Sequence, residues 1–153
     1  MSAKVKICGL TEPARVEQAG RLGAAYLGFV FYPPSPRAVD PACARELAAA
    51  APETAATVGL VVDASDAELE TILEMVPLDL LQLHGYETPE RVAEIALRFG
   101  CRVIKALRVE TAEDLASLEA YAAAADMVLF DAKPPRRRPA GSRDPPASPP
   151  AAP

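Results

Sequence analysis

Residues 57–83, TVGLVVDASDAELETILEMVPLDLLQL, contain a complete strand–helix–strand pattern. The runs Thr57–Val62 and Asp79–Leu83 are short, continuous and mostly apolar, which is typical of strands buried on both faces. Between them, Ser65 and Glu68 have the spacing of a capping box, and apolar residues then recur at helical intervals. This stretch therefore predicts one right-handed, parallel βαβ unit.

The same pattern repeats on both sides of this unit. Further strands are predicted at Val5–Cys8, Tyr26–Phe31, Arg102–Leu107 and Met127–Phe130. Further helices are predicted from about Pro13 to Leu22, after Asp40-Pro41, from Thr88-Pro89 to Gly100, and after Thr111. Strict alternation of strands and helices predicts an α/β protein with a parallel sheet. The periodicity leaves two architectures open, namely a doubly wound open sheet and part of a (β/α)8 barrel.

Reactive side chains stand at or just past the ends of the predicted strands. They are Cys8, Asp63, His84, Arg108 and Asp131. Both barrels and open parallel sheets bind ligands at this rim, so the placement alone does not separate them. No Gly-x-Gly-x-x-Gly follows the first strand, which disfavours a dinucleotide site.

The composition excludes several classes of protein. The chain has 153 residues, enough for one ordinary domain, and a net charge of −5, which argues against a nucleic-acid partner. No apolar run approaches the about 20 residues of a membrane span. Cys8, Cys43 and Cys101 are far apart, and with no signal-peptide pattern they indicate free thiols in the cytoplasm. With one histidine and no cysteine cluster, we expect no metal site.

The last 20 residues differ in composition from the rest of the chain. Residues 134–153 hold eight of the 16 prolines, four arginines and no apolar residue larger than alanine. Such a segment has nothing to bury against the entropy of ordering it. We therefore expect a partial barrel or sheet domain over residues 1–133 and a disordered tail over residues 134–153.

The polar and apolar motifs of the chain resemble, in order, those of the phosphoribosylanthranilate isomerase family of tryptophan biosynthesis. The similar runs are KICGLT (6–11), LGFVF (27–31), SPR (35–37), VGLVVD (58–63), LQLHG (81–85), VIKALRV (103–109) and LFDAK (129–133). The resemblance implies a (β/α)8 barrel. It also implies a cofactor-free Amadori rearrangement of N-(5'-phosphoribosyl)anthranilate to 1-(2-carboxyphenylamino)-1-deoxyribulose 5-phosphate.

The resemblance assigns roles to five residues. Cys8 matches the base that removes the C2 proton, and Asp131 matches the acid that opens the furanose ring. Arg37 matches the residue that holds the anthranilate carboxylate, a group that suits a guanidinium fork. His84 is either a substrate contact or an ordinary histidine at a strand end, and Asp63 is expected to bind substrate or to orient other rim groups.

The resemblance breaks off after Lys133, whereas the family continues with two more βα units that bind the substrate phosphate. We therefore expect an incomplete barrel of about six strands, exposed strand edges prone to self-association, and very low activity or none. Two other interpretations stay open. The chain could be another sugar-phosphate barrel enzyme that uses Lys105, or a non-catalytic βα fragment that acts by association. Substitution of Cys8 and Asp131 distinguishes the last of these, because a binding module tolerates both changes.

Overall fold

The computed structural model describes residues 3–132, which form one parallel sheet of six strands. The strands lie side by side in chain order: β1 (Lys6–Cys8), β2 (Tyr26–Val30), β3 (Ala56–Val61), β4 (Leu80–Leu83), β5 (Arg102–Val109) and β6 (Met127–Ala132). A doubly wound sheet reverses its strand order at a switch point, whereas this order runs in one direction, as in the wall of a barrel. Over residues 3–132 the structure thus confirms six strands of a (β/α)8-type barrel wall. Within the described residues β1 pairs with β2 alone and β6 with β5 alone, so both are edges.

Five α-helices connect the strands: α1 (Pro13–Arg21), α2 (Pro41–Ala49), α3 (Asp66–Met75), α4 (Pro89–Phe99) and α5 (Leu118–Ala124). Most of their predicted ends are confirmed. The Ser65 hydroxyl accepts from the backbone N–H of Glu68 and the Glu68 carboxylate accepts from the backbone N–H of Ser65, which is the expected capping box. The Thr88 side chain caps α4, and Gly100 ends it with a φ of 60°. These local hydrogen bonds depend on residues three positions apart, which is why spacing predicts them.

The predicted helix start after Thr111 is confirmed, but the element that begins there is not an α-helix. A single 3₁₀ turn, Ala112–Leu115, comes first, and α5 begins only at Leu118. The Asp114 carboxylate accepts from the backbone N–H groups of Glu110 and Thr111 at 2.9 and 3.0 Å. These hydrogen bonds form a capping box that fixes the start of the turn at Thr111.

Strand residues alternate between two apolar layers. On the outer layer, Leu27 of β2 packs with helix residues such as Val16. On the inner layer, Val58, Leu80 and Ile104 of three successive strands pack against one another. Burial on both faces explains the continuous apolar runs, and each such side chain contributes about 1.5–3 kcal/mol relative to exposure.

Two predictions fall at or beyond the limit of the described residues. The disordered tail over residues 134–153 lies outside them, and the domain boundary after Lys133 stays a prediction. Over residues 3–132, no helix is long and apolar enough to cross a membrane.

Candidate active site

The candidate site is the inner face of the sheet at the carboxyl ends of the strands. Cys8 ends β1, and Asp131 lies one residue before the end of β6. Because side chains alternate along a strand, residues at even spacing from a known inner residue share its face. Leu129 belongs to the inner layer, which places Asp131 on that face. Cys8 is the register partner of Gly28, and its half-buried sulfur is a free thiol.

Gly28 leaves the space that Cys8 occupies. A Cβ on Gly28 would stand 2.9 Å from the Cys8 Sγ and 3.0 Å from the Lys6 Nζ. The Lys6 ammonium and the Cys8 thiol therefore lie together above this glycine on the inner face. Sequence reasoning missed Lys6, although its spacing of two from Cys8 was a signal that the two residues share a face.

The structure brings Arg37 against the end of β1. The Arg37 Nη1 donates to the carbonyl oxygen of Cys8 at 2.8 Å. Gly9 has a φ of 80°, and a Cβ there would lie 2.6–2.8 Å from the Arg37 guanidinium and its Cδ. The backbone conformation at position 9 therefore favours glycine, and the absence of a side chain there leaves room for Arg37. The Arg37 side chain stays exposed, so its remaining N–H groups face solvent beside Cys8.

His84 and Asp131 are hydrogen-bonded, although they are 47 residues apart. The His84 Nε2 lies 3.1 Å from the Asp131 Oδ2, and the His84 Nδ1 lies 3.1 Å from the Gln82 Nε2. Gln82 is 2% exposed, and its Oε1 has no hydrogen-bond partner within residues 3–132. The structure thus places the predicted residue His84 beside the predicted residue Asp131, and it adds Gln82, which sequence reasoning missed.

Arg108 turns away from Asp131, its register partner on the neighbouring strand. The Arg108 guanidinium donates to the Tyr86 hydroxyl at 3.1 Å and to the His84 carbonyl oxygen at 3.3 Å, and it lies over the Tyr86 ring. Arg108 therefore ties the loop after β4 to β5. Within the described residues, the hydrogen-bond partner of the Asp131 side chain is His84.

Asp63 joins two loops of the rim. Its Oδ1 accepts from the backbone N–H of Tyr86 at 2.6 Å, and its own N–H donates to the Glu87 Oε1 at 2.9 Å. Asp63 has a φ of 48°, a left-handed conformation that aspartate tolerates better than most residues. A Cβ on Gly85 would stand 2.2 Å from the Asp63 Oδ1, so this close contact requires glycine. These contacts favour the orienting role for Asp63 over direct contact with a substrate.

Lys105 lies on the outer side of the sheet, opposite to the candidate site. It shares the face of Val103, which packs against the helices, and the Lys105 Nζ donates to the Glu87 Oε2 at 2.7 Å and to the Gly85 carbonyl oxygen at 2.9 Å. Both side chains of the ion pair are almost fully buried. The interpretation of Lys105 as a catalytic lysine is therefore wrong, because strand alternation directs its ammonium away from the inner face. Lys6 of β1, by contrast, lies on the inner face.

The other two cysteines lie away from the site. The backbone N–H of Cys43 donates to Asp40 in the cap of α2. Burial raises the pKa of the Cys101 thiol, which makes it a poor nucleophile or base at neutral pH. Over residues 3–132, no group of three His, Cys, Asp or Glu side chains could hold a metal ion.

Comparison with known proteins gives consistent matches. The family model "N-(5'phosphoribosyl)anthranilate (PRA) isomerase" matches residues 5–142. N-(5'-phosphoribosyl)anthranilate isomerases from Paramagnetospirillum magneticum and Paracoccus denitrificans are each 54% identical over 136 residues, covering 89% of this chain and 63% of the relative. The chain thus spans 63% of the length of these relatives.

Solved structures match as well. The phosphoribosyl anthranilate isomerase from Thermotoga maritima superposes with a TM-score of 0.81 at 33% identity, covering 88% of this chain and 64% of that one. A phosphoribosyl anthranilate isomerase in complex with reduced 1-(o-carboxyphenylamino)-1-deoxyribulose 5-phosphate gives a TM-score of 0.79 at 32% identity, covering 86% of this chain and 66% of that one.

Proposed function

The chain belongs to the N-(5'-phosphoribosyl)anthranilate isomerase family, and on that premise we propose that its inner-face rim is the acid–base part of an isomerase active site. The reaction is the Amadori rearrangement of N-(5'-phosphoribosyl)anthranilate, a step of tryptophan biosynthesis carried out in the cytoplasm. The observation that carries the proposal is the contact between Arg37 and the end of β1. It sets an exposed guanidinium, suited to a carboxylate, beside a free thiol.

Each group then has one task. The carboxyl group of Asp131 gives a proton to the furanose ring oxygen as the C1–O bond breaks, and the nitrogen lone pair forms the C1=N bond. The thiolate of Cys8 removes the proton from C2. The C–H electrons form the C1=C2 bond, and the π electrons of the C1=N bond return to nitrogen, which gives a neutral enolamine. Tautomerisation of the C2 hydroxyl gives the ketone, so no atoms or electrons are gained or lost. Arg37 holds the anthranilate carboxylate in place throughout.

The isolated 153-residue chain is expected to turn over very slowly. The family resemblance assigns phosphate binding to βα units that follow the sixth strand, outside the described residues 3–132. Remote phosphate binding normally positions such a substrate. Loss of that binding energy leaves the acid, the base and the carboxylate contact without a fixed substrate. We therefore expect weak binding through Arg37 together with very low or undetectable turnover.

Fluorescence titration with reduced 1-(o-carboxyphenylamino)-1-deoxyribulose 5-phosphate tests the site. Arg37→Ala should weaken binding about 10- to 100-fold, the equivalent of roughly 1.5–3 kcal/mol for hydrogen bonds to a charged group. Arg45→Ala is the matched control, because Arg45 is an exposed arginine on the neighbouring helix α2. Any residual turnover should disappear in Cys8→Ala and persist in Cys43→Ala. Absence of both binding and turnover would refute the proposed function.

A second candidate function is association without catalysis. The β1 and β6 edges expose backbone groups, and Val5, Ile7 and Phe130 beside them are exposed apolar side chains. This candidate predicts oligomers that persist in Cys8→Ala and Asp131→Asn and no ligand binding. Analytical ultracentrifugation over a range of chain concentrations, combined with the titration above, distinguishes the two.

A further inference from the structure

The imidazole of His84 connects Gln82 with Asp131 on the inner face. Its two ring nitrogens have different partners, the Gln82 Nε2 on one side and the Asp131 Oδ2 on the other, each at 3.1 Å. Gln82 is fixed by burial, whereas Asp131 lies on the edge strand β6 with about half of its side chain exposed. The buried end of this chain of contacts can therefore hold the exposed end in place.

The partners of the ring determine where its proton lies. With the amide nitrogen of Gln82 facing the ring as a donor, the Nδ1 opposite it is the acceptor. The ring proton then sits on Nε2 and is shared in a hydrogen bond with the Oδ2 of Asp131. In this arrangement the contact between His84 and Asp131 is a hydrogen bond donated by the Nε2–H, in the tautomer that Gln82 selects.

We propose that His84 is the positioning residue of Asp131, a role that rests on the proposed function of Asp131 as the acid. The Nε2–H of His84 holds the Oδ2 of Asp131, and Oδ1, which has no hydrogen-bond partner within residues 3–132, is left to carry the proton to the sugar. When that proton leaves, the same Nε2–H stabilises the carboxylate that forms. No proton passes through His84, so it acts on the reaction through the place and orientation of Asp131.

Two neighbours on β5 make this contact possible. Ala106 lies on the inner face between β4 and β6, and its small side chain leaves room for the imidazole to reach across. Arg108, the cation nearest in register to Asp131, is engaged by Tyr86 and by the carbonyl oxygen of His84. Within residues 3–132, the Asp131 carboxyl group therefore contacts the imidazole of His84 and not the guanidinium of Arg108.

The chain contains one histidine, so nitrogen NMR of the full chain labelled with ¹⁵N-histidine reports on His84 alone. We expect one tautomer, with the proton on Nε2. Asp131→Ala should shift the Nε2 resonance and speed exchange of its proton with water at least several-fold, and Gln82→Met should let both tautomers appear. Glu119→Gln, which removes an exposed carboxylate on α5, is the matched control and should change neither.

The NMR spectrum is recorded without substrate. It therefore tests the role of His84 independently of the proposed isomerase function. A mixture of tautomers in the unmodified chain, or an Nε2 signal that does not respond to Asp131→Ala, overturns the role of His84 whatever the activity. Asp131→Asn is the second variant if Asp131→Ala does not fold, with a smaller shift expected because the amide oxygen still accepts. If the proposed isomerase function is wrong, the fluorescence titration shows no ligand binding, while the NMR spectrum of His84 stays unchanged.

Discussion

Removal of the buried Lys105 ammonium is expected to destabilise the fold strongly. In Lys105→Met, the Glu87 carboxylate loses its closest partner, the Lys105 Nζ at 2.7 Å, while the two side chains are only 2% and 4% exposed. Breaking a buried ion pair by removing one partner costs about 3–5 kcal/mol. Glu87 keeps backbone donors from Asp63 and Gly85, at 2.9 and 3.0 Å, so the value should lie near the lower limit.

Urea unfolding followed by circular dichroism measures this cost. Lys105→Met should lower the free energy of unfolding by about 3 kcal/mol. The double variant with Glu87→Gln should lose less than the sum of the two single variants, because it no longer buries an unpaired charge. Lys4→Met is the control, since Lys4 is exposed and its loss should change stability by no more than about 0.5 kcal/mol. Equal stability of Lys105→Met and the unmodified chain, or strictly additive effects, would refute the reasoning.

Three further changes have defined outcomes. Gly28→Ala places a Cβ 2.9 Å from the Cys8 Sγ and 3.2 Å from the Cys8 Cα, so overpacking should cost about 1–3 kcal/mol in urea unfolding. The hydrogen bond from Arg91 lowers the pKa of the Asp66 carboxyl below its ordinary 3.8. The stabilisation from this contact is therefore present above pH 3.8 and is lost as the pH falls further. The urea midpoints of the unmodified chain and of Arg91→Met should converge below that pH. Because burial raises the pKa of Cys101, iodoacetamide should alkylate it more slowly than Cys8 at pH 8, as read by peptide mass spectrometry.

Each of these predictions has a contrary result. An unchanged urea midpoint in Gly28→Ala would mean that the inner face has free space above this glycine. A constant difference between the unmodified chain and Arg91→Met from neutral to acid pH would remove Asp66 as the titrating partner. Faster alkylation of Cys101 than of Cys8 would show that its burial does not persist in solution.

The order of strands and helices, their caps and the rim positions of the reactive residues could be predicted from the sequence. The capping box of Ser65 and Glu68 and the end of α4 at Gly100 depend on neighbours a few residues away, so their spacing is sufficient. The start of the 3₁₀ turn after Thr111 had a local signal as well, the aspartate three residues later whose carboxylate accepts from the backbone N–H of Thr111. Local hydrogen bonds, and the repeat of apolar residues every two positions in strands or about every 3.6 in helices, depend only on residues close together in the sequence.

Only the tertiary structure decided which groups meet. Lys6 and Lys105 are both lysines in apolar strands, and the register and packing of the sheet place one beside Cys8 and the other against Glu87. The contact between His84 and Asp131 crosses a third strand and depends on its register, which no short spacing encodes. The alternation of side chains along a strand means that successive residues point to opposite faces of the sheet. Which way is inward, and what lies opposite, is determined only when strands distant in sequence pair and the helices cover one face.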